Sequence, residues 1–392
     1  MKDALYLAWR YLAYHKVKTA ILVTSITLIV FLPVGLRVLV SQSEEQLTAR
    51  AAATPLLVGA KGSPLELALN SLYFEGDVPE TMRYQEVTRI DTTGLALAIP
   101  LYVRFRAQNY PIVGTTLEYF AFRGLSIASG SNLTTLGDCV LGARVAEALG
   151  VGPGETVISS PESVFDIAGV YPLRMHIKGV LAFSDTPDDD AIFVDLKTAW
   201  VIEGLVHGHV DLSSPQAAGQ VLRVDSTNVV GNAALVQYQE ITPENIGEFH
   251  FHGGQEEYPI TAVITVPPDQ RSETILRGRY ESPDDLAQIV QPTTVMDELL
   301  DTVLTVQTFV IAAVVVVGIS TFATAILVFM LSLRLRRREI ETMRKIGGSR
   351  ASIGWVMVSE IVVVLVAGVV LAAGLTVITS RFGSEAIRAM IF

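Results

Sequence analysis

Three stretches of this chain are apolar for about 20 residues or more, the length a helix needs to cross hydrocarbon. They cover residues 19–40, 301–335 and 353–379. A chain that carries them must place those segments in lipid, because the exposed backbone of any other structure would go unpaired there. The first has no charge until Arg37, near enough to its end to reach the interface. The third holds one acid, Glu360. Half of the 392 residues are hydrophobic, yet the residues between the first and second stretches are rich in charge and in turn formers. The expected class is therefore an α-helical membrane protein with three transmembrane helices and one mixed α/β domain outside the cytoplasm.

Charge sets the orientation. Lys2, Arg10, Lys16 and Lys18 precede the first stretch, and seven cations between Arg334 and Arg350 separate the second from the third. Positive loops stay in the cytoplasm. This predicts a cytoplasmic amphipathic helix over residues 1–18 and an outer domain over 41–300. A cytoplasmic loop over 336–352 and an outer carboxyl terminus over 380–392 complete the plan. The first stretch has the basic start of a signal peptide, but its apolar run is longer than a typical signal core, so an uncleaved anchor is expected. Leu5, Ala8, Trp9 and Leu12 give the amino-terminal helix an apolar face suited to membrane lipid.

The outer block holds 15 Lys and Arg against 34 Asp and Glu, a net of −19. That sign argues against nucleic acid as a partner. The single cysteine, Cys139, excludes an internal disulfide and reads as a buried thiol. Residues 41–53 contain helix formers up to Pro55. Thr294 and Asp297 can begin a helix whose stripe runs through Val295, Leu299, Val303, Val306 and Val310. From Thr294 to Arg338 such a helix would measure roughly 65 Å. The two helices are expected to form a stalk. Between them, alternation predicts strands over 101–106, 175–180 and 260–266, with short helices over 65–72 and 143–149. The 130–225 region reads as an inserted strand-rich subdomain.

No phosphate-binding Gly-x4-Gly-Lys-Ser/Thr, no Gly-x-Ser-x-Gly elbow and no His-Glu-x-x-His helix occurs. The chain is not expected to be an enzyme, nor to hold a cofactor of its own. His207 and His209, and His250 and His252, form two His-x-His pairs, which on a strand would face one side and could chelate a metal. Exposed loop histidines are the alternative. Glu360, Gly368, Ala372 and Gly374 suit helix packing inside the membrane. In the cytoplasmic loop, Ile340, Met343 and Ile346 lie on one side of a short helix that carries Arg338, Glu339, Arg344 and Lys345. Gly347 and Gly348 end it. A short amphipathic helix between two spans is suited to docking on a cytoplasmic partner.

The run Arg338-Glu339-Ile340, Arg344-Lys345-Ile346-Gly347, Glu360, Gly368 and Gly374 resembles the FtsX-like permease family, which includes MacB-type and lipoprotein-releasing ABC subunits. Residues 140–146 and 152–157 resemble that family's periplasmic core. The resemblance implies a bacterial inner-membrane permease subunit. Two copies would pair with two copies of a separate ATPase that binds ATP and Mg, with the Arg338–Gly348 segment as the coupling helix. Motion would pass through the stalk to the outer domain, for export or extraction of an envelope substrate, with a periplasmic or outer-membrane protein as a further partner. The same plan serves regulators of extracytoplasmic cell-wall hydrolases. A membrane-anchored sensor is the reading from another class. The family usually has four spans, whereas this chain reaches Phe392 about 14 residues after its third.

Overall fold

The computed structural model describes residues 2–160, 172–208, 221–224, 229–231, 239–251, 253–282, 285–335, 337–345, 347 and 349–391. The chain divides into two compact units, residues 50–297 and residues 1–49 with 298–392. Two helices open the chain, α1 (Lys2–Tyr14) and α2 (Lys16–Ala52).

The 50–297 unit begins with β1 (Leu56–Ala60), α3 (Pro64–Tyr73), β2 (Met82–Arg83), α4 (Gln85–Asp91) and β3 (Leu97–Ala107). It continues with β4 (Tyr110–Thr115), α5 (Leu117–Arg123), β5 (Ile127–Gly130), β6 (Asp138–Leu141) and α6 (Ala143–Leu149). Next come β7 (Thr156–Ile158), β8 (Arg174–Leu181), a 3₁₀ turn (Pro187–Asp190), β9 (Ile192–Asp195) and α7 (Leu196–Ile202). The last elements are β10 (Val206–Gly208), β11 (Val221–Val224), β12 (Val229–Gly231), β13 (Phe249–Phe251), β14 (Pro259–Ile260), β15 (Ala262–Val266), α8 (Gln270–Arg279) and β16 (Ala287–Val290).

Local chemistry explains the short helices. Ser63 caps α3 by accepting from the Glu66 amide at 3.2 Å, and Pro64 supplies the fixed φ of the first turn. Gly150 ends α6 in the left-handed region that favours glycine. Both helices fall within a residue of where the sequence puts them.

Ten strands form one sheet in the order β16-β1-β15-β3-β4-β9-β6-β8-β5, with β7 on β8. Strands β6, β8 and β9 extend the first sheet through the parallel pair β4–β9, where Ile112 is paired with Ile192 and Thr115 with Asp195, while β10 with β13 and β11 with β12 form separate two-stranded sheets. Sequence alternation cannot reveal such a join, because it reports a strand's faces and not its neighbours. Trp200, Tyr102, Tyr119 and Phe193 are the largest fully buried side chains. Phe193 lies 5.6 Å from Tyr119 and 5.4 Å from Phe120, centroid to centroid. The Trp200 indole donates to the Pro259 carbonyl at 2.8 Å, so its polar edge is satisfied inside the core.

The other unit holds α1, the body of α2, most of α9 (Pro292–Leu335), α10 (Arg337–Lys345) and α11 (Arg350–Ile391). The α9 helix starts two residues before Thr294, because Pro292 is already set for a first helical turn. Among the described residues, two helices are long and apolar enough to cross a membrane, at Lys16–Ser41 and Ala351–Phe382. A shorter apolar stretch, Thr308–Thr324, lies within α9.

A Cβ added at Gly142 would run into the backbone carbonyls of Asp188 and Asp189, whereas one added at Gly152 meets nothing within 4 Å. Gly142→Ala should therefore cost about 1–3 kcal/mol in denaturant unfolding, and Gly152→Ala should leave the transition in place. Equal midpoints for the two variants would contradict the packing described.

Candidate functional site

Arg50, in the last turn of α2, is buried and meets the buried Asp188 and Tyr119. Its guanidinium grips Asp188 with two bonds, Nη1 to Oδ2 at 2.6 Å and Nη2 to Oδ1 at 2.9 Å. Nη2 also donates to the Tyr119 hydroxyl at 2.9 Å, and Nε donates to the Leu72 carbonyl at 2.6 Å. The Tyr119 hydroxyl in turn donates a hydrogen bond to Asp188 Oδ1 at 2.7 Å. The Phe74 ring centroid lies 5.7 Å from the guanidinium carbon. One turn further along, Thr54 donates to the Arg50 carbonyl at 3.0 Å and accepts from Arg123 at 2.9 Å. Helix end, α3, α5 and the Pro187–Asp190 turn are thus tied at one point.

Electrostatics follow from burial. Burial works against ionised Asp188, but the charge and hydrogen bonds of Arg50, with the Tyr119 hydroxyl, outweigh it and hold the carboxyl below its usual range. Burial likewise opposes the Arg50 charge, and Tyr119 and Asp188 more than offset it. Burial pushes the Tyr119 phenol above its usual range, so it remains a donor.

The Pro187–Asp190 turn is also held from its other side. Asp189, fully buried, accepts from the Ser184 amide at 3.1 Å and from the Thr186 amide at 3.3 Å. Arg144 on α6 bonds Asp190 at 3.0 Å and lies 3.6 Å from Asp189. Sequence reasoning passed over Arg50 and Asp188. The available signals were a lone arginine among the four alanines of residues 49–53 and three consecutive aspartates at 188–190.

The residues singled out from sequence are distributed as follows. Arg338, Glu339, Ile340, Met343, Arg344 and Lys345 all lie on α10, with Arg338, Arg344 and Lys345 exposed and Ile340 half-buried. Gly347 follows at φ +97°, its amide bonded to the Arg344 carbonyl at 3.1 Å. Ile346 and Gly348 lie outside the described residues. Glu360 and Ala372 are buried. Gly368 packs against α2: an added Cβ would sit 2.6 Å from Ile26 Cγ2, and the Gly368 carbonyl accepts from Thr27 at 3.2 Å. Gly374 has open space where a Cβ would go. Cys139 is buried, and burial with nearby Asp138 pushes its thiol up.

His207 and His250 are backbone register partners in the antiparallel pair β10–β13. The Nδ1 atom of His250 is 3.0 Å from the Glu248 carbonyl oxygen. His209 and His252 lie outside the described residues. No group of three or more His, Cys, Asp or Glu able to hold a metal occurs among the described residues.

Residues 19–234, more than half of the chain, match the family model described as the MacB-like periplasmic core domain. The chain belongs to that family, and thereby to the MacB/FtsX-like ABC permeases. It is a permease-type subunit, a membrane protein with a domain outside the cytoplasm; such subunits are in general non-catalytic, dimeric and partnered by an ABC ATPase. No curated protein matches the sequence. Among solved structures, the periplasmic region of MacB from Actinobacillus actinomycetemcomitans is 11% identical, over 63% of this chain and 92% of that one, at a TM-score of 0.35. The extracellular domain of the noncanonic ABC-type transporter YknZ from Gram-positive bacteria is 9% identical, over 60% of this chain and 98% of that one, at a TM-score of 0.33. The family match, and not these superpositions, carries the assignment.

Asp188→Asn would strip the counter-charge from a buried guanidinium and should cost about 3–5 kcal/mol of stability. The native carboxyl is held below its ordinary value of 3.8. Its contribution is therefore complete above that pH and is lost as pH falls through the lower native value. In acid titrations of unfolding stability, the wild type should show this loss below about pH 4 and Asp188→Asn should lack it.

Proposed function

We propose that this chain is a mechanotransmission subunit: it converts ATP hydrolysis by a separate cytoplasmic ATPase into a change of shape in its outer domain. The supporting observation is that α2 is a single helix from Lys16 to Ala52. One part of it has the length and composition of a membrane span. Its last turn carries Arg50, which is locked to Asp188 by two hydrogen bonds. A helix held so firmly at its end transmits displacement in preference to absorbing it.

In this reading three helices span the bacterial inner membrane, over residues 19–40, 301–335 and 353–379. The amino terminus and the 336–352 loop face the cytoplasm. Two copies of the chain assemble with two ATPase subunits, which supply the ATP and Mg chemistry. The α10 helix seats on the ATPase through Ile340, Met343 and Ile346, with Arg344 and Lys345 at the rim. Glu360, Gly368 and Ala372 hold the third span against the first. The outer domain acts on an envelope substrate that need not cross the membrane through this chain, and a periplasmic or outer-membrane partner would receive it.

The test is charge reversal on α10. Arg344→Glu with Lys345→Glu should abolish co-purification with the ATPase, while the chain still enters the membrane and its outer domain unfolds at the wild-type midpoint. Undiminished co-purification would sink the proposal.

A further inference from the structure

Among the described residues of the 50–297 unit, five arginines are buried or half-buried: Arg50, Arg89, Arg104, Arg123 and Arg144. Four of them have a carboxylate at ion-pair distance. Arg50 has Asp188 at 2.6 Å, Arg89 has Glu86 at 3.4 Å, Arg104 has Glu203 at 3.9 Å and Arg144 has Asp190 at 3.0 Å. Arg123, the last residue of α5, has no such partner among the described residues.

Its contacts are of other kinds. Nη2 donates to the Thr54 hydroxyl at 2.9 Å. The ring centroids of Phe122 and Tyr119 lie 4.8 and 5.8 Å from the guanidinium carbon. Nε is enclosed and meets no acceptor. A buried donor left in that state is uncommon in a folded protein, and it calls for a reason. The neighbouring surface is open, because nothing lies within 4 Å of the place a Cβ on Gly124 would take.

The local charges do not balance. Arg50 and Arg123 bring two positive charges to this corner, and Asp188 brings one negative. The tyrosines add none. Burial pushes the Tyr119 phenol up, and it pushes that of Tyr73 up to about 12 against the opposing pull of Arg50 and Arg123. Burial also opposes the charge on Arg123, as does Arg50, and Tyr119 with Asp188 do not make up the difference.

We propose that Arg123 is a binding site for a small monovalent carboxylate, which pairs with the part of the guanidinium that Thr54 does not occupy. The planar fork of arginine matches the two oxygens of a carboxylate. A surplus of one positive charge selects a monoanion. The second charge of a phosphate dianion would be desolvated without a partner. The net −19 of the outer block would also repel a dianion more strongly. The Arg50–Asp188 pair is complete without the ligand, so failure of this site leaves the transmission reading standing.

The experiment follows thermal unfolding of the purified full chain as sodium acetate replaces sodium chloride at constant ionic strength. Acetate should stabilise the wild type saturably, by about tenfold in the folding equilibrium constant at ten times its dissociation constant. Sodium phosphate at the same ionic strength should stabilise it less. Arg123→Gln should abolish the response. Thr54→Asp puts a carboxylate where the hydroxyl now bonds Arg123, and should abolish it too by supplying the counter-charge from within. Absence of a response in the wild type overturns the proposal, as does a response to phosphate as large as that to acetate. A response that survives in either variant overturns it as well. So does a wild type that ignores acetate and loses stability on dilution, which would mean that an acidic side chain of a second copy already holds Arg123.

Discussion

A guanidinium buried to the extent of Arg50 is costly unless its donors are met, and here four hydrogen bonds run from its three nitrogens to protein acceptors. Asp188 takes two of its hydrogen bonds, Tyr119 one and the Leu72 carbonyl one. Removal of either charge would strand the other in a buried position. The arrangement is therefore all or nothing, which is what the proposed transmission of displacement needs. It fixes the end of α2 to three separate elements of the outer unit, and the planar fork of arginine fixes direction as well as distance.

The location of this ion pair beside the sheet gives it many neighbours. The Pro187–Asp190 turn leads directly into β9, the strand that pairs with β4 on one side and β6 on the other. That strand joins the half of the sheet built from the ends of the chain to the half built from its middle. Arg144 holds the same turn from α6, and Gly142 leaves no room for a side chain between them. Displacement of Asp188 would therefore be felt across both halves. Close packing makes such a core shift between discrete arrangements more readily than it stretches.

In the helical unit, packing depends on small residues. Without a hydrophobic drive between helices in lipid, close backbone approach supplies the attraction. Gly368 permits it by admitting the Ile26 side chain and presenting its carbonyl to Thr27. Gly318 does the same for Ile29, where an added Cβ would lie 3.3 Å away. The α2 helix is thus the shared neighbour of α9 and α11. It also carries Arg50 in its last turn.

Much of this was legible in the sequence, for local reasons. The apolar runs, the basic loop, α3 and α6 with their caps, and the strands around 101–106, 175–180 and 260–266 follow from periodicity, capping and charge within a few residues of each other. The candidate site was only partly legible. The α10 segment is visible as one amphipathic turn after another. The helix-packing role of Gly368 follows a spacing that reveals small residues but not their partners. Arg50 and Asp188 are 138 residues apart, and nothing near either one marks it as half of a pair. The pairing of His207 with His250, and the join of two half-sheets at β4 and β9, are likewise questions of register between distant strands. The sequence by itself determined which segments are the most apolar, where the basic loop lies and where short helices begin and end, because those depend on neighbours along the chain. Only the tertiary structure decided which charge is buried against which, and in what order the strands lie. Those choices are made by long-range packing, in which desolvation forces a partner on every buried charge.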